Sequence, residues 1–169
     1  MSSKKVLILN HIQIQQKINR IAFQILEDNF DEKEIIIAGV ISRGYRLAQR
    51  IETVLSQIST IKIKMVKIEL NKDSSKLESA IDVPIQECEN KVIILVDDVL
   101  NSGRTIAYGL GVFLNIPLKK LRSVVLINRS HKNFPVATDF VGLELSTVLK
   151  EHVSVVLDEN NEEDAVYLI

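Results

Sequence analysis

The chain has 169 residues, of which 46% are hydrophobic and 25% charged, and a formal net charge of −1. That balance belongs to a globular chain large enough for one real core. It lacks the global basic excess of a nucleic-acid binder, although a basic patch on one face stays open. No apolar run reaches the ~20 residues of a membrane-spanning helix, and the run behind Lys4 and Lys5 is too short for a signal peptide. A lone cysteine, Cys88, can form neither an internal disulfide nor, by itself, a zinc site. These features predict a cytoplasmic protein built as a single domain over residues 1–169.

Residues 5–9 read as a short strand. From Ile14 the apolar positions Ile14, Ile18, Ile21, Ala22, Ile25 and Leu26 mark one helical face that ends near Asn29. The apolar stretch 34–40 (EIIIAGV) predicts a buried strand and 41–44 (ISRG) a turn. Leu47, Ala48, Ile51, Val54 and Leu55 then trace a second amphipathic helix. Alternation over 61–69 (IKIKMVKIE) predicts a strand with one wet face. Residues 70–90, with Asn71, Asp73, Ser74 and Ser75, show no clear period and read as a long loop, a feature usually functional or disordered in compact domains. Val92, Ile93, Ile94, Leu95 and Val96 form another buried strand. A helix over 104–115, a strand over 122–128 and short β segments down to Ile169 follow. Apolar strands alternating with helices predict an α/β fold with a mainly parallel central sheet flanked by helices.

The chemistry concentrates in residues 91–105, KVIILVDDVLNSGRT. In a parallel α/β sheet ligands bind beyond the carboxyl ends of the strands, and Asp97 and Asp98 are expected at such an end. Two consecutive residues just past a strand can both turn toward one ligand. Carboxylates only accept hydrogen bonds, so the pair suits the vicinal hydroxyls of a ribose or a divalent cation. The turn behind them, Val99, Leu100, Asn101, Ser102, Gly103, Arg104 and Thr105, brings backbone N–H groups and hydroxyls to a helix N-terminus, where an anion is favoured. A helix capped by Ser102 behind two acids would account for a generic Asp-Asp pair. The spacing of acids, glycine and threonine behind an apolar strand favours a ribose 5-phosphate site.

These residues resemble the phosphoribosyl-diphosphate (PRPP) motif of the type I phosphoribosyltransferases. Residues 39–51 (GVISRGYRLAQRI) look like that family's pyrophosphate loop and following helix. Residues 129–142 (RSHKNFPVATDFVG) and 155–166 (VVLDENNEEDAV) look like the C-terminal half of its PyrR branch, the pyrimidine-operon regulators that are also uracil phosphoribosyltransferases. The 14–29 helix matches that branch too, so the resemblance covers nearly the whole chain. It implies the family fold, with a small hood from the two termini over the base site. It also implies the family reaction, displacement at C1 of PRPP by a base nitrogen with release of pyrophosphate. Mg²⁺ would enter with PRPP, with Asp97 as a candidate helper.

By the same resemblance Asp97 and Asp98 hold the ribose, residues 99–105 the 5-phosphate, and Ser42, Arg43 and Gly44 the diphosphate. The 70–90 loop, with Asn71, Lys72 and Asp73, becomes a closing flap, and Asn128, Arg129, Phe140 and Val141 lie near the base. By itself Ser-Arg-Gly fits a surface arginine at a helix start. Beside the PRPP motif it becomes a second half-site, where Gly44 admits close approach and Arg43 offers a fork to a diphosphate. Homodimers or larger homo-oligomers are the family habit.

Departures from the family pattern shape the functional expectation. The PyrR branch carries an arginine and two acids in the flap; Lys72 keeps the charge but loses the fork. Asn101 stands where purine-salvage relatives have a proton-accepting aspartate and the PyrR branch a tyrosine. Asn128 stands where those groups have lysine and aspartate, and an amide tolerates either oxo-base. Phe134, Phe140 and residues 145–148 are expected near the hood. Of the RNA-contacting pattern Arg20 remains, Phe23 replaces a histidine, and Leu143 and Leu149 replace hood lysines, so RNA binding is doubtful; Lys119 and Lys120 leave a small basic pair. His11, His131 and His152 lack metal-ligand spacing and read as surface residues, and Cys88 as inert. Two readings follow: a phosphoribosyltransferase acting on uracil, or a nucleotide-sensing regulatory or binding protein with weak or no catalysis. The intact motif favours the first, and a purine phosphoribosyltransferase ranks behind both.

Overall fold

The computed structural model describes residues 5–71, 78–129, 131–148, 150–157 and 163–169. Five strands run parallel: β2 (Glu34–Val40), β3 (Lys62–Asn71), β5 (Val92–Leu100), β6 (Lys120–Asn128) and β7 (Phe140–Glu144). With β4 (Glu78–Ile81) antiparallel along the outer edge of β3, they form a six-stranded sheet ordered β4-β3-β2-β5-β6-β7. Helices α1 (His11–Asp28) and α2 (Arg43–Ile58) pack on one face and α3 (Arg104–Phe113) on the other. Alternate residues explain the apolar runs. In β5, Ile94 and Val96 join the cluster under α1 and α2, while Ile93 and Leu95 join the cluster under α3; in β2, Ile35 and Ile37 part from Ile36 and Ala38 in the same way. A strand covered on both faces has no wet side on which to alternate.

Helix α1 begins three residues before its first buried isoleucine because Asn10 and Gln13 form a reciprocal capping box, each side chain accepting the other's backbone N–H at 2.9 Å. The predicted N-terminal strand, β1 (Val6–Leu9), stays out of the parallel sheet. It pairs with β9 (Ala165–Leu168), which pairs in turn with β8 (Val153–Val156), giving a three-stranded antiparallel hood. Leu9, Val153, Val155, Leu157 and Val166 carry the hood onto the α1/α2 cluster. Polar contacts fasten it further. Asp164, 3% exposed, accepts from Arg50 Nη2 at 2.8 and 3.0 Å and lies 3.0 Å from His11 Nδ1. His11 is on the surface, as expected, and there contacts the hood through Asp164.

The stretch 70–90 differs from the loop expected. β3 runs on to Asn71, residues 78–81 pair with it as β4, and Ile85–Cys88 form a 3-10 turn. Ile81, Val83 and Ile85 pack against the α3-side cluster and Cys88 is buried in it. Four residues of strand and four of 3-10 turn are too short for a period to declare itself. Burial pushes the Cys88 thiol up from its ordinary value, which disfavours the thiolate. Among the described residues no helix is long and apolar enough to cross a membrane.

Asp28 closes α1 by accepting from Arg122 Nε at 2.9 Å and Nη2 at 3.2 Å, with Lys120 Nζ 3.1 Å away. The Arg122 hydrogen bonds hold the carboxyl below its ordinary 3.8; burial opposes them and Lys120 reinforces them. A carboxyl that binds its proton less readily folded than unfolded stabilises the fold above its unfolded value and loses that contribution as pH falls through the folded one. Both partners are partly exposed, so the contribution is modest. Asp28→Asn is expected to lower the urea midpoint at neutral pH, with the gap to the parent protein closing on acidification below 3.8. A gap that persists unchanged in acid would refute the linkage.

Candidate functional site

Chain order reverses between β2 and β5: the chain leaves β2 through α2 toward β3, then returns on the other side of β2 as β5. Connections that diverge in this way open a crevice at the strands' carboxyl ends. A cavity of about 300 Å³ lies there, lined from β2 and α2 by Val40, Ser42 and Arg43, and from β5 and α3 by Asp97, Asp98 and Thr105. A second cavity of about 140 Å³, formed by residues 99–106, adjoins it through Val99 and Thr105.

Both acids border the larger cavity, but from within the strand rather than past its end, because β5 continues to Leu100. Asp97 is 7% exposed and its Oδ1 accepts the Asp98 N–H at 2.9 Å; Asp98 Oδ1 accepts the Val99 N–H at the same distance. These bonds fold each carboxylate back on its own backbone and restrict its swing. Arg43 Nη1 stands 3.9 Å from Asp98 Oδ2, so a guanidinium faces the acid pair across the cavity. Among the described residues no three or more His, Cys, Asp or Glu side chains gather as a metal cluster. Two carboxylates alone do suit a Mg²⁺ ion that arrives with phosphate oxygens of its own.

Gly44 also has a role in the packing of the protein itself. A Cβ at this position would meet Val96 O at 2.7 Å and Asp97 Cα at 2.9 Å, so the first turn of α2 rests directly on the β5 backbone beside the acids. The preceding Ile41–Ser42 peptide is cis, and Ser42 caps α2 without a side-chain bond to the helix.

The turn before α3 is built by Gly103, whose φ of 82° favours glycine and which caps the helix without a side chain. Ser102, which would have been the cap had the acid pair been merely structural, is not the cap; its hydroxyl accepts the Arg104 N–H at 3.3 Å. Its carbonyl accepts from Asn133 and Phe134 at 2.8 and 3.1 Å. Phe134, expected near the hood, thus buttresses this turn and meets Tyr108 edge to face at 6.0 Å. The result is a small concavity of helix-terminal N–H groups with the Ser102 and Thr105 hydroxyls, chemistry suited to a phosphate.

The residues expected near the base divide. Asn128, 6% exposed, donates from Nδ2 to Glu144 Oε1 at 3.1 Å at the carboxyl ends of β6 and β7. Arg129, 4% exposed, donates to Thr147 Oγ1 at 3.1 Å and to the Glu151 carbonyl, and His131 contacts the Thr147 carbonyl at 2.7 Å. That clamp holds the segment leading to the hood. Phe140 and Val141 pack onto the two apolar clusters, one on each face of the sheet. Asn71 ends β3 opposite Glu78; Lys72, Asp73 and Leu149 lie outside the described residues. Neither Glu144 nor the Arg129–Thr147 clamp was signalled by sequence, since both depend on segments that meet only in the fold.

A parallel sheet with an antiparallel edge, helices on both faces, a terminal hood and a cavity at the β2/β5 switch point define the type I phosphoribosyltransferase fold. The phosphoribosyl transferase domain family matches residues 7–160. Bifunctional protein PyrR of Staphylococcus saprophyticus is 35% identical over 173 residues, 96% of this chain and 97% of that protein; its namesake in Macrococcus caseolyticus is 29% identical over 97% and 98%. This chain belongs to the phosphoribosyltransferase family. Among solved structures, Trypanosoma cruzi hypoxanthine phosphoribosyltransferase superposes with a TM-score of 0.81 at 16% identity, over 97% of this chain and 91% of that one. A Bacillus anthracis hypoxanthine-guanine phosphoribosyltransferase gives 0.79 at 19%, over 100% and 99%. These two share the fold.

The Gly44 contact has a direct consequence. Gly44→Ala must part α2 from β5, because both close atoms belong to backbone. It is expected to lower stability by about 1–3 kcal/mol, read as a reduced denaturant midpoint at unchanged m-value. An unshifted midpoint would show that the contact is slack.

Proposed function

We propose that the protein transfers ribose 5-phosphate from PRPP to uracil, giving UMP and pyrophosphate. The observation that carries this reading is the pairing of two adjoining cavities at the switch point, one with two carboxylates facing Arg43, the other a cradle of N–H and hydroxyl donors. Asp97 and Asp98 accept from the ribose hydroxyls. The 99–105 turn takes the 5-phosphate, and Ser42 and Arg43 receive the diphosphate. Asp97 would help to hold a Mg²⁺ ion carried by PRPP, which would supply neutralisation of diphosphate charge.

The C1–oxygen bond to the diphosphate breaks as a base nitrogen bonds to C1, and the proton on that nitrogen leaves to the departing diphosphate or to solvent. The Asn101 amide cannot accept it. The protein's own part is positioning and charge stabilisation: two fixed acids orient the sugar, and Arg43 meets the leaving group. The missing acid at position 101 is also why uracil is preferred here over the purines.

Two measurements test this. Incubation with PRPP, Mg²⁺ and a panel of bases is expected to yield UMP faster than any purine nucleotide; a faster purine product would overturn the base assignment. Since hydrogen bonds to charged groups are worth ~1.5–3 kcal/mol, Asp98→Asn and Asp97→Asn should each weaken PRPP binding roughly tenfold to a hundredfold. Calorimetric affinities that both variants leave unchanged would remove the ribose role.

A second reading, a nucleotide-sensing regulator with weak catalysis, draws on Asn101 and on the relatives named bifunctional. The basic residues left for RNA are engaged. Arg20 donates to the Val141 and Gly142 carbonyls at 2.7 and 2.6 Å, and Lys119 and Lys120 pair with Glu32 and Asp28. Phosphate contacts dominate RNA affinity, so a shift assay with pyrimidine-operon leader RNA at physiological salt is expected to show weak binding, unaffected by UMP. Tight binding that strengthens with UMP would favour the regulator.

A further inference from the structure

Asn101 is the chain's only asparagine followed directly by serine or glycine. Ser102 is small, so its side chain leaves the path to its own backbone nitrogen open. Asn101 is exposed, in the bend between Leu100, the last residue of β5, and Gly103, the cap of α3. The backbone is held on either side: Leu100 O accepts the Arg129 N–H at 2.9 Å, and Ser102 O accepts those of Asn133 and Phe134. Between these anchors, among the described residues, neither the Asn101 amide nor the Ser102 N–H takes part in a hydrogen bond. Such an N–H can give its proton to hydroxide without first breaking a structural bond.

Both residues stand just ahead of the N-terminus of α3, which lacks a side-chain cap. Its partial positive charge favours a deprotonated nitrogen and the oxyanion formed when that nitrogen attacks a carbonyl carbon. The amide carbon of an asparagine and the next backbone nitrogen are placed to close a five-membered ring.

We infer that Asn101 is a site of spontaneous deamidation, and that its products disable the turn around the smaller cavity. The Ser102 nitrogen bonds to Asn101 Cγ, and its proton passes to solvent. The Cγ–Nδ2 bond breaks, and the amide nitrogen takes up a proton and leaves as ammonia. Water then opens the cyclic imide. Breaking the bond from nitrogen to Cγ gives aspartate; breaking the bond from nitrogen to the Asn101 backbone carbon gives isoaspartate. Water enters, ammonia leaves, and nothing is oxidised or reduced. Isoaspartate routes the main chain through Cβ, which inserts a methylene between the Leu100 and Ser102 anchors and displaces the donors behind it. Either product sets a carboxylate beside the cavity that Asn101 borders. The conversion needs no ligand; the loss of phosphate binding rests on the ribose 5-phosphate transfer proposed above.

The test ages the full chain and Asn101→Gln in water enriched in heavy oxygen, at mildly acidic and mildly alkaline pH. Digestion in ordinary water and mass spectrometry then read the label at each asparagine, which separates ageing from conversion during digestion. Calorimetry gives the fraction of chains that bind PRPP-Mg. The longer glutamine amide closes its ring far more slowly, so that variant is the control for ageing. Residue 101 is expected to take up label several times faster than any other asparagine, and faster in alkali than in acid. The PRPP-binding fraction should fall in step with conversion, and in Asn101→Gln should stay at its starting value. Label at residue 101 no faster than elsewhere, or no faster in alkali, overturns the inference. Conversion that leaves PRPP binding intact overturns its second half. A fresh protein that fails to bind PRPP yet converts removes the transfer reading, and the second half with it, and upholds the modification site.

Discussion

The close seating of α2 on β5 is the constraint from which the rest of the site follows. Gly44 has no side chain, and the space a Cβ would take is filled by Val96 O and the backbone of Asp97. The first turn of α2 can therefore lie against the strand that carries the acids, and Arg43, one residue earlier, comes to 3.9 Å from Asp98. Two half-sites some fifty residues apart in sequence become walls of one cavity through a single absent methyl group. A larger residue here would separate charge from counter-charge as well as helix from strand.

Polar contacts bind the outlying pieces to that frame. The hood combines both ends of the chain, and Asp164 ties it to α1 through His11 and to α2 through Arg50. Arg20 donates to the Val141 and Gly142 carbonyls of β7, the last strand of the sheet. Asp28 draws Lys120 and Arg122 onto the end of α1. Several basic side chains that look available in the sequence are in this way committed to holding the molecule together. Charge counted along a chain and charge presented on a surface are different quantities.

Two amides stand near the carboxyl ends of β5 and β6. The Asn101 amide accepts no proton, and Asn128 donates from Nδ2 to Glu144. The two adjoining cavities keep full charge chemistry: two fixed carboxylates, a guanidinium and a helix terminus without a side-chain cap. The cavities open at the ends of β2 and β5, whereas the Asn128–Glu144 contact lies at the ends of β6 and β7.

Local order was legible in the sequence. The apolar runs of β2, β5 and β6, the isoleucine stripe of α1 and the Asp-Asp, Gly, Thr spacing each report an environment that a period or a backbone conformation imposes on nearby residues. Those features sufficed for a parallel α/β sheet with an acid pair and a glycine turn at the carboxyl end of one strand. The four-residue strand β4 and the Ile85–Cys88 turn were too short to leave a period, so 70–90 read as loop. Contacts across long separations leave no local trace. Gly44 against Val96, Asp164 on Arg50, Phe134 under Ser102 and Glu144 on Asn128 each join segments that only the folded chain brings within bonding distance. Residue types and periods determined what each segment could be; the sheet order and its registers decided which side chains meet.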